Sequence, residues 1–237
     1  MPKKTLTSRQ IEILNFIIDK YVKDGEPVGS MELVRYAGLN LSSATVRNEM
    51  AALEEVGLID QPHTSAGRIP TSAGFKLYLN QKDFTPVVDP KVSEAVEKVI
   101  AGAPDKEQLG RDLAKWLAKE SDDFAVVSFG DNQIFYAGFS NLANKHELQE
   151  DFGLFREFTN VIDEMDNRVI DLMNQMHGVP KIFLGHDNPM SDDMSLVATD
   201  VQVGNSKTMI GLLGLTRMNY GENMALLNYV KKQLERM

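Results

Sequence analysis

Residues 41–79 read LSSATVRNEMAALEEVGLIDQPHTSAGRIPTSAGFKLYL. Ser42 or Ser43 supplies a hydroxyl where a helix N-cap is needed. Val46, Met50 and Leu53 then recur at i, i+4 and i+7, which is one buried helical face. At 100° per residue, Ala44, Asn48, Ala51 and Glu55 fall opposite that face, flanked by Thr45 and Arg47. Gly57 ends the helix. LIDQP and RIPT follow as two short strands around the tip HTSAG, and Ser72 opens a further helix with Phe75, Tyr78 and Leu79.

Two helices precede this stretch. Thr7-Ser8-Arg9-Gln10 has capping-box form, with apolar Ile11, Leu14, Ile17, Ile18, Tyr21 and Val22 behind it. Gly25 ends the first helix, GEPVGS is a turn, and Ser30 caps a short second helix with Leu33, Val34 and Ala37 that stops at Gly38. Three helices followed by a hairpin make a winged helix-turn-helix. Such a module offers its third helix to the major groove of double-stranded DNA, the N-terminal residues meeting base edges. Ser42 and Ser43 suit phosphate contacts at a helix start, and Thr45, flanking the outer face, is a further DNA-binding candidate. Arg47 matches guanine and Asn48 adenine. At the hairpin tip, Ser65, Ala66 and Gly67 are small enough for close approach to a sugar-phosphate backbone, and His63 and Thr64 beside them are further DNA-binding candidates. Arg68 adds charge. His63 fits a hydrogen bond within the wing as well as it fits a phosphate.

Charge is divided unevenly along the 237 residues, whose net charge is −9. Residues 1–80 hold nine Lys or Arg and nine Asp or Glu, so the negative excess belongs to residues 81–237, with sixteen basic and twenty-five acidic. A neutral reader must bind DNA through a few placed side chains rather than a basic field. Hydrophobic residues make up 43% of the chain, enough for packed cores. There is no cysteine, which excludes disulfides and thiolate chemistry. No apolar run approaches the ~18 residues of a membrane span, and MPKKTLTSRQ lacks the apolar stretch of a signal peptide, so a cytoplasmic protein is expected.

Residues 81–90, QKDFTPVVDP, carry two prolines and read as a linker between residues 1–80 and 91–237. Beyond it lie a helix with Val92, Val96, Val99 and Ile100 and another with Leu109, Leu113, Trp116 and Leu117. FAVVSF and QIFYAGF are strand-like runs around a Gly130-Asp131-Asn132 turn. One long helix is predicted over roughly Phe155–Met176; its stripe is broader than a coiled-coil seam, which favours a core face. VPKIFLG, SLVATDVQV and MIGLLGL are further strands. Asn219 with Glu222 opens a last helix bearing Met224, Leu227, Val230 and Leu234. The order predicts an α+β second domain.

VGS, SSATVRNEMAALEEVGLIDQPHTSAGRIPT and GFKLYL together resemble the N-terminal domain of the heat-inducible transcription repressor HrcA family. FYAGFSNLANKHEL, IFLGHDNP and GLLGLTRMNYGENMALLNYV resemble, more weakly, parts of that family's GAF-like second domain. The resemblance implies a repressor that binds an inverted-repeat operator upstream of chaperone genes, with the chaperonin GroEL as partner. It also implies an extra dimerising domain inserted into the GAF-like domain. Here only Gly130-Asp131-Asn132 separates the strand runs where the insert would lie, so a reduced GAF-like domain is expected.

Enzyme signals are weak. The stretch Gly204–Thr208 has Ser206 where a phosphate loop needs Gly and Val201 where its first Gly belongs. His146, His177 and His186 lack metal-ligand spacing, and Asp122-Asp123 and Asp192-Asp193 read as solvated turns. No catalytic residue, metal or cofactor is expected. The competing reading is a metabolite-responsive regulator whose GAF-like domain binds a small ligand. A homodimer is expected from the weakness of one neutral module, its contact coming from the last helix or, preferably, from the helical pair Val92–Leu117.

Overall fold

The computed structural model describes residues 6–36, 41–82, 89–130 and 133–237. The expected helix stop at Ala37-Gly38, most of the linker and the Asp131-Asn132 part of the hairpin turn lie outside them. The chain divides into two compact units, 1–83 and 84–237.

In the first unit, α1 (Ser8–Asp24), α2 (Ser30–Tyr36) and α3 (Ser43–Glu55) are followed by β1 (Ile59–Asp60), β2 (Ile69–Pro70) and α4 (Ser72–Leu79). The capping box forms as the sequence predicts: Gln10 N donates to Thr7 Oγ1 at 3.2 Å and Thr7 N to Gln10 Oε1 at 3.0 Å. Gly25, at φ 74°, closes α1 in the left-handed conformation. Ile13, Leu14, Ile17, Ile18, Leu33, Val46, Leu53 and Phe75 are wholly buried and form the core. β1 and β2 pair antiparallel, Ile59 opposite Pro70. A third element joins them: Val28 and Arg68 exchange both backbone hydrogen bonds, each 2.9 Å long.

The second unit begins with α5 (Pro90–Gly102), α6 (Lys106–Ser121), β3 (Phe124–Phe129) and β4 (Gln133–Ala137). Short helices α7 (Phe139–Ala143) and α8 (His146–Glu150) precede α9 (Phe152–Asp163) and α10 (Met165–Gln175). Then come β5 (Lys181–Leu184), a 3-10 turn (Gly185–Asp187), β6 (Met194–Val203), β7 (Ser206–Leu215) and α11 (Tyr220–Leu234). One antiparallel sheet runs in the order β4-β3-β7-β6-β5. This is the α+β domain the element order predicts. Phe129 pairs with Gln133, so no domain is inserted between β3 and β4.

Both faces of the sheet are covered. Phe124, Val126, Leu196, Ala198, Met209 and Leu213 share a core with Phe158, Val161, Met165, Val169 and Leu172 of α9 and α10. Ala125, Val127, Val197, Ile210 and Leu212 alternate with them, are equally buried, and face the layer of α6 and α11. Double coverage is why β3, β6 and β7 are buried along almost their whole length, polar Ser128, Ser195, Thr199 and Thr208 included.

Four expectations need correction, the fourth at Asp123. The single helix over Phe155–Met176 is two, α9 and α10, parted at Glu164 (φ −100°, ψ 7°). No Pro or Gly marks the break. Arg168 ties it down, donating to Glu164 Oε2 at 2.6 and 3.0 Å and to the carbonyls of Pro189 and Met190. QIFYAGF ends as a strand at Ala137, because Gly138 (φ 95°) turns the chain into α7. Finally, Leu227, Val230 and Leu234 of the last helix are wholly buried within their own unit, so they form no free dimerising stripe.

Asp123, expected in a solvated turn, is 4% exposed. Its carboxylate lies against β7 where Gly214 leaves room; a Cβ there would stand 2.6 Å from Asp123 Oδ1. Asn223 Nδ2 donates to Asp123 Oδ2 at 2.9 Å. Burial raises the Asp123 pKa to about 6, against the smaller lowering effects of Asn223, Lys145 and Arg217. A raised folded-state value favours the protonated acid in the native protein. The stability it contributes is therefore full below pH 3.8 and lost as pH rises through about 6. Across that window the loss is at most about 3 kcal/mol. Asp123→Asn should flatten the stability–pH curve between pH 4 and 7, read by urea denaturation; an unaltered slope would remove Asp123 as its source.

Candidate nucleic-acid interface

α3 sets the geometry. Val46, Met50 and Leu53 anchor it in the core, which turns Arg47 and Asn48 outward, and both are exposed. Ser42, rather than Ser43, is the N-cap: its Oγ accepts from Thr45 N at 3.1 Å and lies 2.9 Å from Thr45 Oγ1. These two hydroxyls thus already serve the helix start. Ser43 is half-buried, its Oγ 3.5 Å from Ser30 Oγ. Ser30 also accepts from Arg47 Nε at 3.3 Å, which steers the guanidinium along the start of α3.

Two acidic residues on α3, Glu49 and Glu54, are answered within the unit. Glu49 accepts from Gln10 Nε2 at 3.1 Å and pairs with Arg9 at 3.4 Å. Glu54 pairs with Arg68 at 2.9 Å. Arg47 pairs with no carboxylate among the described residues, so its charge faces solvent beside Asn48. Local neutralisation of this kind lets a module with no net charge present one cation at a chosen point.

The wing departs from its sequence reading. His63, Thr64 and Ser65 are exposed at the tip, which Gln61 organises by donating to the carbonyls of Thr64 (3.1 Å) and Ala66 (2.9 Å). Arg68 is not at the tip. Its side chain is 19% exposed, its Nε donates to Glu54 Oε2 at 3.0 Å, and its backbone is bonded to Val28. Gly67 is small for an internal reason. A Cβ there would lie 2.5 Å from the Val28 carbonyl carbon and oxygen. Ser30, Glu54 and Gln61 were missed as site residues. Gln61 lies within five residues of its partners and was open to a local reading. Ser30 with Arg47, and Glu54 with Arg68, meet only through the fold.

The model of the winged helix-turn-helix transcription repressor, HrcA DNA-binding domain, matches residues 5–84, and that of the HrcA protein C-terminal domain matches residues 84–224. The chain belongs to the HrcA family. Among curated relatives, the heat-inducible transcription repressor HrcA of Arthrobacter sp. (strain FB24) is 40% identical over 121 residues, 51% of this chain and 36% of that protein. That of Lachnoclostridium phytofermentans is 42% identical over 126 residues, 52% of this chain and 35% of that protein. The matched part thus spans little more than a third of these HrcA relatives. A crystal structure described as that of a hypothetical protein at 2.2 Å resolution shares the fold, with a TM-score of 0.77 and 18% identity over 98% of both chains.

Gly67→Ala should destabilise the winged unit by about 1–3 kcal/mol, the usual cost of overpacking against atoms that cannot move aside. Thermal unfolding would reveal it; a wild-type midpoint would mean the wing shifts freely from Val28. Arg68→Ala and Glu54→Ala should show a coupling of roughly 1 kcal/mol in a double-mutant cycle, whereas additive effects would dissolve the pair.

Proposed function

We propose that this chain is a sequence-specific, non-enzymatic transcriptional repressor that binds an inverted-repeat operator upstream of chaperone genes as a homodimer in the cytoplasm. One observation carries the reading: α3 exposes Arg47 and Asn48 together at its N-terminal end while the carboxylates of Glu49 and Glu54 are paired away from them. A guanidinium and an amide at that position suit guanine and adenine edges in the major groove. The exposed tip at His63, Thr64 and Ser65 supplies polar groups for the flanking backbone. The names of the HrcA relatives support the repressor role and its heat-inducible setting.

The dimer follows from the energetics of a neutral reader. Few cationic contacts leave one module weak, and two linked modules act at high effective concentration on a two-fold site. α5 and α6 keep half-buried Val92, Val99, Ile100 and Trp116, which suits them to the contact better than the spent stripe of α11. The chaperonin GroEL belongs to this reading as the partner that the family resemblance implies.

Arg47→Ala or Asn48→Ala should weaken binding to DNA from upstream of the host's chaperone genes by ~1–3 kcal/mol, and binding to random DNA much less. Equal losses on both in fluorescence anisotropy would reduce these side chains to phosphate contacts or to structure. Sedimentation should give a dimer at micromolar concentration, and a half-site duplex should bind far more weakly than the full repeat; a monomer that binds both equally would refute the dimer.

A further inference from the structure

Arg47 is the only basic side chain of α3, and its contacts decide how it can meet a base. A guanidinium is a flat fork of five N–H donors. It can offer a paired acceptor its two terminal groups, Nη1 with Nη2, or its side edge, Nε with Nη2. Each edge carries two parallel donors that fit the O6 and N7 acceptors of guanine. The first points the side chain straight at the base; the second brings it in sideways.

In this fold the side edge is taken. Arg47 Nε donates to Ser30 Oγ at 3.3 Å, and among the described residues neither Nη1 nor Nη2 has a partner. Glu32 on α2 and Glu49 and Glu54 on α3 do not draw the guanidinium away. Glu32 pairs with Lys20 at 3.1 Å, Glu49 with Arg9 and Glu54 with Arg68.

Ser30 is itself held from both sides, so its oxygen is a fixed point. Val28, just before it, is wholly buried and exchanges both backbone bonds with Arg68 of the wing. Leu33, in the next turn, is wholly buried too, its N donating to Gly29 O at 3.2 Å. Ser43 Oγ, at the first residue of α3, lies 3.5 Å from Ser30 Oγ. Ser30 and Arg47 are 17 residues apart in sequence, and their contact spans α2 and α3.

We propose that Ser30 is a positioning residue for base reading: by occupying Nε it blocks the sideways approach and presents Nη1 and Nη2 end-on to a guanine. This role rests on the DNA reading proposed for Arg47 and adds to it a residue that acts through the arginine. Without the Ser30 oxygen the guanidinium turns on its flexible stem and can spend its donors on phosphates, which carry no sequence information. Loss of the hydroxyl therefore costs discrimination more than affinity.

The full chain and its variants would select from a duplex library of randomised sequence. The bound fraction is sequenced, and the selected and scrambled duplexes are titrated by fluorescence anisotropy. The wild type is expected to favour guanine at a position of the selected site by about tenfold or more, and Arg47→Ala to abolish that preference. Ser30→Ala should lower it to about a third or less, with affinity for the scrambled duplex within about twofold of wild type. Ser30→Thr, which keeps the hydroxyl, should retain it. Ser30→Ala added to Arg47→Ala should cost nothing more, because a residue that acts through the arginine has no effect without it. Thermal unfolding checks each fold; if Ser30→Ala melts early, Ser30→Cys replaces it, similar in size but a poor acceptor. A variant without the hydroxyl that keeps full guanine preference, while Arg47→Ala loses it, overturns the positioning role and leaves Arg47 as the reader. A further loss in the double variant also overturns it, assigning Ser30 to the fold or to a DNA contact of its own. If the library yields no guanine preference that Arg47→Ala removes, both roles fall.

Discussion

The arrangement of α3 and the wing in the first unit hangs on a backbone contact. Val28 and Arg68 exchange two 2.9 Å hydrogen bonds, which fix the wing to the turn between α1 and α2. The approach leaves no space for a Cβ at Gly67. Once Arg68 is held there, its guanidinium reaches Glu54 at the end of α3. Wing and α3 are thereby joined through one residue, by backbone on one side and charge on the other. A hairpin with two-residue strands has little stability alone, so these tethers supply what its own ladder cannot.

That tether also explains how a neutral module can be directional. Nine acidic side chains offset nine basic ones over residues 1–80, yet they are not spread at random. Arg9 and Gln10 of α1 hold Glu49, and Arg68 holds Glu54. The outer face of α3 near its start carries a guanidinium and an amide, with Ser30 steering the former. Affinity from a diffuse field would be strong and unselective; a single placed cation gives less affinity and depends more on geometry.

The second unit solves a different problem. A sheet covered on both faces must bury the ends of its helices as well, and the junction of α6, β3 and α11 carries polar groups inward. Asp123 and Asn223 pair there, and Tyr220 donates to Ser195 Oγ at 2.8 Å. Burial raises the Tyr220 hydroxyl pKa as it raises that of Asp123. Such a network is tolerable only while its members are partnered.

The sequence by itself determined the local structure. The capping box at Thr7, the i, i+4, i+7 stripe of Val46, Met50 and Leu53, and the Gly-bounded wing are each written within a dozen residues, because caps, periodicity and turns are short-range effects. Arg47 and Asn48 were legible for the same reason: one helical wheel places them opposite the core. Only the tertiary structure decided the partners. Nothing near Arg68 announces Glu54, nothing near Gly67 announces Val28, and Asp123 reads as a surface acid until β7 and α11 close over it. The break at Glu164 is likewise silent in sequence, since it follows from Arg168 reaching carbonyls more than twenty residues away. Burial and ion pairing are set by where distant segments meet, and that is a property of the packed chain rather than of any window along it.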